Sequence, residues 1–262
     1  MNGPIHVSID RFGIATVALD RPELHNAFDD VMIGALNDTI ARIAANRSVH
    51  AMVLEGRGRS FSAGADLNWM RRSATYSPED NLADAQALAR LMHALDRLAK
   101  PTIALVQGAV VGGGIGLVAC CDIVIACDDT RFSFSEVRLG LIPAVISPYV
   151  IAAIGPRHAR RYFQTGESFD ADTARRIGLV HEVLPAAEVA GFRDAILSAI
   201  RRGGPQAQAA AKALAIDVAN RPVDAALIAE TARLISDHRA SAEGREGLAA
   251  FLEKRPPAWL ND

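Results

Sequence analysis

An apolar strand, a glycine-rich turn and the start of a helix follow one another twice, at residues 51–71 and 102–121. The first copy runs from AMVLEGRG into SFSAGADLNWM, the second from TIALVQG into GAVVGGGIGLVACC. Alternation of this kind builds layers, with helices laid over a sheet, so the chain is expected to be α/β. Glycine at each junction lets the backbone turn sharply and approach a neighbour closely.

The flanking sequence extends the pattern. HVSIDRFGIATVALD alternates about a turn at Arg11–Gly13 and predicts a β-hairpin. RPELHNAFDD is a proline-led turn with a helix cap near Asp29, and residues 30–46 carry apolar side chains at helical spacing. SPEDNLADAQALARLMHALDRLAK predicts a long amphipathic helix capped by Ser77. DIVIACD is a further strand, and RFSFSEVRLGLIP is extended before it loops. From about Ser147 the pattern is mostly helical, interrupted by a short strand in GLVHEVLP. The GGPQAQ stretch marks a boundary, dividing a core at 1–204 from a helical region at 205–262.

Half of the 262 residues are hydrophobic, enough for one substantial core with an appendage or for two modest domains. The 28 Lys+Arg against 30 Asp+Glu give no electrostatic case for nucleic acid or an anionic membrane surface. Cys120, Cys121 and Cys127 lack zinc-ligand spacing and read as reduced core thiols; the seven histidines suggest no metal either. MNGPIHVSID has no charged segment leading into an apolar one, and no apolar run reaches membrane-spanning length. A soluble, cytoplasmic protein is expected.

Two chemistries suit the glycine turns. Gly114-Ile115-Gly116-Leu117-Val118-Ala119 has the spacing of a dinucleotide fingerprint, but its helix is short, and Asp128 and Asp129 fall too early for the ribose carboxylate. Alternatively, the turns at Ala63–Asp66 and Gly112–Gly114 each present main-chain N–H groups at a helix start. Two such donors meeting at one carbonyl oxygen would stabilise negative charge developing there. Tight turning alone also accounts for either set of glycines.

SFSAGADL, then VQGAVVGGGIGLVACCDIVIA, then FSFSEVRLGLIP and ARRIGLVHEVLP resemble the crotonase, or enoyl-CoA hydratase/isomerase, superfamily in order and spacing. The resemblance extends from RPELHNAF to EGREGLAAFLEKRPPAW. It implies a ββα superhelical core with a helical C-terminal region that helps build trimers, commonly paired into hexamers. It also implies an acyl-CoA thioester substrate, with coenzyme A as part of the substrate and no separate cofactor. By motif position the oxyanion donors would be the N–H groups of Ala65 and Gly113. The CoA moiety would lie along Ala63, Ala65, Asp66, Leu67 and Asn68 and near Leu24.

Hydratases of this family generally carry two catalytic glutamates. At the first of those positions this chain has Gly116, at the second Glu136, and the usual PGxGG segment reads Pro143-Ala144-Val145-Ile146-Ser147. Three readings follow: a non-catalytic acyl-CoA binder, an isomerase needing one acid/base residue, or a hydratase that works without the first glutamate. Glu136 could hold water and return a proton if burial raises its pKa, or could simply pair with Arg138. RPELHNAFDD, GGGIGLVACCD and EVRLGLIPAVISPYVIAAIG look like the branch that hydrates 3-methylglutaconyl-CoA in leucine breakdown. Such a substrate brings its own carboxylate, and Gly116 would leave room for a branched carbon. Arg138, Ser147 and Tyr149 are candidates to meet that carboxylate; Arg157, Arg160 and Arg161 could meet CoA phosphates or form a solvated face.

Overall fold

A computed structural model describes residues 3–260 of the chain. They form two compact units, one of residues 3–98 and 102–193, the other of residues 99–101 and 194–260.

The first unit opens with strands β1 (Ile5–Ile9) and β2 (Ile14–Leu19), the antiparallel hairpin expected around Gly13. Helix α1 (Asp30–Ala45) starts where Asp29 accepts a hydrogen bond from the Met32 N–H, 2.8 Å. Its apolar face, Met32, Ile33, Leu36, Ile40 and Ile43, is buried. Strand β3 (Ala51–Gly56) follows, then helices α2 (Leu67–Ser73) and α3 (Pro78–Asp96), the latter capped by Ser77. Next come β4 (Thr102–Val106), β5 (Ala109–Val111), α4 (Gly113–Ala119), β6 (Ile123–Cys127) and β7 (Arg131–Ser133). The unit continues with α5 (Ser147–Thr165), β8 (Ser168–Asp170), α6 (Ala171–Arg176) and β9 (Glu182–Leu184).

Strands β1, β2, β3, β4, β6 and β9 make one sheet in that order, parallel after the hairpin. Strand β4 is TIALV, buried at every residue, as a parallel strand covered on both faces must be. A second sheet has the order β5-β7-β8, with β5 and β7 parallel. Two features depart from the sequence reading. The sequence pattern does not predict strands β5 and β8, and within RFSFSEVRLGLIP, read as extended and then looping, SEVRL winds into a 3₁₀ helix at Ser135–Leu139.

Phe132 of β7 and Phe169 of β8 join an aromatic cluster. Tyr162 and Phe169 rings are 4.3 Å apart, Phe132 and Phe169 5.5 Å, and Phe134 meets Phe163 edge-on at 4.9 Å. Phe134 is fully buried and so anchors the chain two residues before Glu136.

Helix α7 (Ala186–Arg201) crosses the division between the units at residue 193. The second unit holds α8 (Pro205–Val218), α9 (Ala225–Ala240) and α10 (Ala242–Glu253). Within it, Glu243 accepts from the N–H groups of Gln206 and Ala207 at the start of α8. Arg255 grips Glu246 through two bonds of 2.6 and 2.9 Å, which pulls that carboxyl down to a pKa of about 2.

Candidate active site

Three neighbouring segments leave the second sheet at one edge and carry the three predicted groups with them. Strands β5 and β7 pair in parallel, Val111 opposite Ser133, and Ser62 joins the far side of β5 in a parallel bridge to Val110. Ala65 lies three residues beyond Ser62, Gly113 three beyond Val110, and Glu136 three beyond Ser133. Parallel neighbours end at the same side, so their exits are brought together, the arrangement that places ligand sites at the carboxyl ends of strands in α/β folds.

Contacts beyond the sheet fix the two glycine turns against each other. Phe28 donates its N–H to the Gly64 carbonyl and accepts from the Asp66 N–H, both at 2.7 Å. In this parallel bridge Phe28 spends both its polar groups and Ala65 neither, which leaves the Ala65 N–H facing away. The Phe28 ring meanwhile lies against Gly113, where a Cβ would come within 3.3 Å of Cδ2. Gly64 and Gly114 also permit close approach: a Cβ on Gly64 would be 3.2 Å from the Val111 carbonyl, and one on Gly114 2.9 Å from Ser62 Cβ. Neither the Ala65 N–H nor the Gly113 N–H donates to any group among the described residues. Gly113 opens α4, so its N–H is one of the helix's orphan donors.

Glu136 stands over Gly112, the residue before the second of these donors. Its Oε1 is 3.0 Å from the position a Cβ on Gly112 would occupy, and its Oε2 is buried without a hydrogen-bond partner. Burial pushes its pKa up from the ordinary glutamate value. The suggested pairing with Arg138 is not made; the Arg138 guanidinium lies instead near Gly166. A buried carboxylate with an unused oxygen can take a proton from a polar molecule and give it back.

The predicted CoA-side residues fall into one neighbourhood. Ala63 donates its N–H to the His25 carbonyl, 2.9 Å, which seats the Leu24–His25 turn beside the 63–68 loop. Leu24, Ala65, Leu67 and Asn68 are exposed and Ala63 is half-buried. Asp66 is employed otherwise: Oδ1 caps α2 through the Asn68 and Trp69 N–H groups, and Oδ2 faces Arg21 at 3.4 Å. It shapes the loop instead of presenting a free carboxylate.

At Gly116 the sequence reading needs correcting. No room for a branched carbon opens there, because the space is filled by Ile146 Cγ2 and Met92 Cε. Ser147 donates to its own turn at the Ala144 carbonyl, and Arg161 pairs with Glu167, so neither is held ready for an anion. Sequence reasoning also passed over Asn26. Fully buried, it accepts from the Arg21 N–H and donates to the Arg57 and Ser60 carbonyls, tying the first turn to the loop before Ala65. Its signal was an Asn in a tight turn; His25 and Asn26 both adopt positive φ.

The description enoyl-CoA hydratase/isomerase fits residues 10–262 as a family. The chain belongs to that family. It is an enoyl-CoA hydratase/isomerase family enzyme of crotonase fold, with a helical C-terminal region. The crystal structure of an enoyl-CoA hydratase from Shewanella pealeana matches it with a TM-score of 0.95 at 44% identity, over 98% of this chain and 96% of that one. The 2,3-dehydroadipyl-CoA hydratase of Escherichia coli is 31% identical over 245 residues, 93% of this chain and 94% of its own. The crotonyl-CoA hydratase of Syntrophomonas wolfei is 31% identical over 250 residues, 95% of each. No helix among the described residues of this family member is long and apolar enough to cross a membrane.

Proposed function

We propose that this enzyme hydrates an α,β-unsaturated acyl-CoA with a single carboxylate, Glu136, and that its substrate is 3-methylglutaconyl-CoA. The observation that carries the reading is the buried, unpartnered Glu136 Oε2 over Gly112, in a fold that also leaves the Ala65 and Gly113 N–H groups without partners among the described residues. Leaving a buried polar atom unsatisfied costs about 1–3 kcal/mol, a cost that a purely structural glutamate would have relieved.

In the proposed reaction the thioester oxygen accepts from the Ala65 and Gly113 N–H groups. Glu136 takes a proton from water as the water oxygen bonds to C3 and the double-bond electrons move toward the thioester. The resulting enolate is held by the two donors, and protonated Glu136 returns its proton to C2. One water enters and no group leaves. The product from 3-methylglutaconyl-CoA is 3-hydroxy-3-methylglutaryl-CoA.

The branched diacid is supported by the motifs RPELHNAFDD and EVRLGLIPAVISPYVIAAIG and by the lack of a second carboxylate at 116, which would repel the substrate's own. The apolar cover over Gly116 also favours a second reading, double-bond isomerisation, which moves one proton between carbons and needs one carboxylate. Exposed Leu248, Phe251 and Leu252 on α10 support a homotrimer or hexamer, to be tested by light scattering, and a cytoplasmic location completes the proposal.

Loss of enoyl-thioester absorbance with 3-methylglutaconyl-CoA and crotonyl-CoA, for the native enzyme and Glu136→Gln, tests it. The branched diacid should turn over faster, and the variant should lose both activities. Preference for crotonyl-CoA would remove the substrate assignment, and undiminished turnover in the variant would remove Glu136.

A further inference from the structure

Two glycines at the start of α4 have their missing side chains replaced by groups from elsewhere in the chain. Over Gly112 lies the Glu136 carboxylate. Four residues on, Gly116 is buried, and a Cβ there would overlap Ile146 Cγ2 and lie 3.0 Å from Ile146 Cβ and 3.1 Å from Met92 Cε. Gly112 is the N-cap of α4 and Gly116 the fourth residue of the helix, so the carboxylate stands at the head of α4 and the methyl group about one turn into it. Ile146 is 3% exposed and is held at the head of α5, where its carbonyl accepts from the Val150 N–H at 3.1 Å. The β-branch is what reaches Gly116; any side chain at 116 would displace it.

We propose that Ile146, backed by Met92, is a specificity-determining residue, its γ-methyl forming the apolar wall beside Glu136 that sets which substituent the reacting carbon carries. The inference rests on the hydratase reading of Glu136. A wall of methyl groups offers no hydrogen bond, so a polar substituent facing it loses its hydration without replacement, while an apolar branch gains contact. One methylene more or less against such a wall changes discrimination by about 10–200-fold.

Two conservative variants separate the γ-methyl from bulk. Ile146→Val keeps Cγ2 and loses Cδ1; Ile146→Leu keeps the carbon count and loses Cγ2. The readout is the ratio of kcat/KM for branched over unbranched substrate, in two pairs: 3-methylglutaconyl-CoA with glutaconyl-CoA, and 3-methylcrotonyl-CoA with crotonyl-CoA. A ratio is insensitive to the fraction of enzyme folded. Ile146→Leu should shift it by about tenfold or more, and Ile146→Val by much less. Equal ratios in all three proteins, or equal shifts in both variants, overturn the proposal. Should the native enzyme turn over only the monoacid pair, the diacid substrate falls and the Ile146 test is read there. Should it turn over none of the four, the hydratase reading falls and takes the proposal with it. The packing is checked without activity: Gly116→Ala should lower Tm in the native background and much less in Ile146→Ala. An unchanged Tm in the native background overturns it.

Discussion

The carboxylate of Glu136 lies directly over Gly112, its Oε1 3.0 Å from where a Cβ on that glycine would stand. The proposed acid/base group and the turn that presents the proposed Gly113 donor are thus one packed unit, although 24 residues separate Gly112 from Glu136 in the chain. Gly112 also holds φ at +51°. Alanine there meets both constraints: backbone strain of about 1–3 kcal/mol, because φ +51° with ψ −117° is a conformation side-chain-bearing residues avoid, and a forced displacement of the carboxylate. Gly112→Ala should therefore lose stability by roughly that amount and lose kcat by tenfold or more. Urea unfolding alongside steady-state kinetics reads both. A stable variant with native kcat would mean that the carboxylate is free to move and that its position is unimportant.

Burial raises the Glu136 pKa above the ordinary value of 4.5, with a defined sign for activity and stability. As the proposed base, Glu136 must be ionised, so kcat/KM should rise with pH through a limb centred above 4.5 and then level off. Glu136→Gln should lack the limb and lose about 10²–10⁴ in rate. For stability the burial penalty falls on the ionised form alone. It is absent below the unfolded pKa and fully felt above the folded one. Glu136→Gln should accordingly be more stable than the native enzyme at neutral pH, the gap closing as pH falls through the raised folded pKa and gone below about 4.5. A pH series of thermal melts checks this, and a variant less stable throughout would contradict it.

Asn26 holds the site's first turn by three hydrogen bonds of 2.8–2.9 Å, all in its buried side chain. Asn26→Ala strands one N–H and two carbonyls and places alanine at φ +53°. A stranded buried group costs about 1–3 kcal/mol, so a loss of several kcal/mol is expected in denaturant melts. Asn26→Asp keeps the acceptor for the Arg21 N–H but turns both donors into acceptors facing carbonyls. It should fare no better, and an exposed position would have tolerated either change.

Much of this arrangement was legible in the residues. Asp29 and Ser77 each precede a helical apolar stripe and cap it as read, because capping is a local matter of a side-chain oxygen and N–H groups two or three residues on. Strand β4 declared itself by an unbroken apolar run. Strands β5 and β8, three residues each, are too short for periodicity to mark them, yet they align the exits to Gly113 and Glu136. The family resemblance singled out Ala65, Gly113 and Glu136, while only the packing reveals that two of their N–H groups and one oxygen lack partners. Gly116 misled the sequence reading for a related reason. A glycine reads as empty space, and what fills it, Ile146, lies 30 residues further along.

Gly113 offers a way to remove a main-chain donor by substitution. It is the first residue of α4, the one helical position where proline is well accommodated, since the N–H there has no helical partner. Gly113→Pro deletes that N–H, and Gly113→Ala adds a Cβ against Phe28 while keeping it. Both variants press on the Phe28 ring at about the same place, so their difference isolates the donor. Removing one oxyanion donor typically costs about 10²–10³ in kcat. The proline variant should fall by that factor relative to alanine, with a much smaller change in KM, because the donor acts on charge that develops after binding. Circular dichroism would check that both fold. If proline and alanine lose kcat equally, the N–H of Gly113 does not stabilise the enolate, and the second donor must be sought elsewhere along the turn.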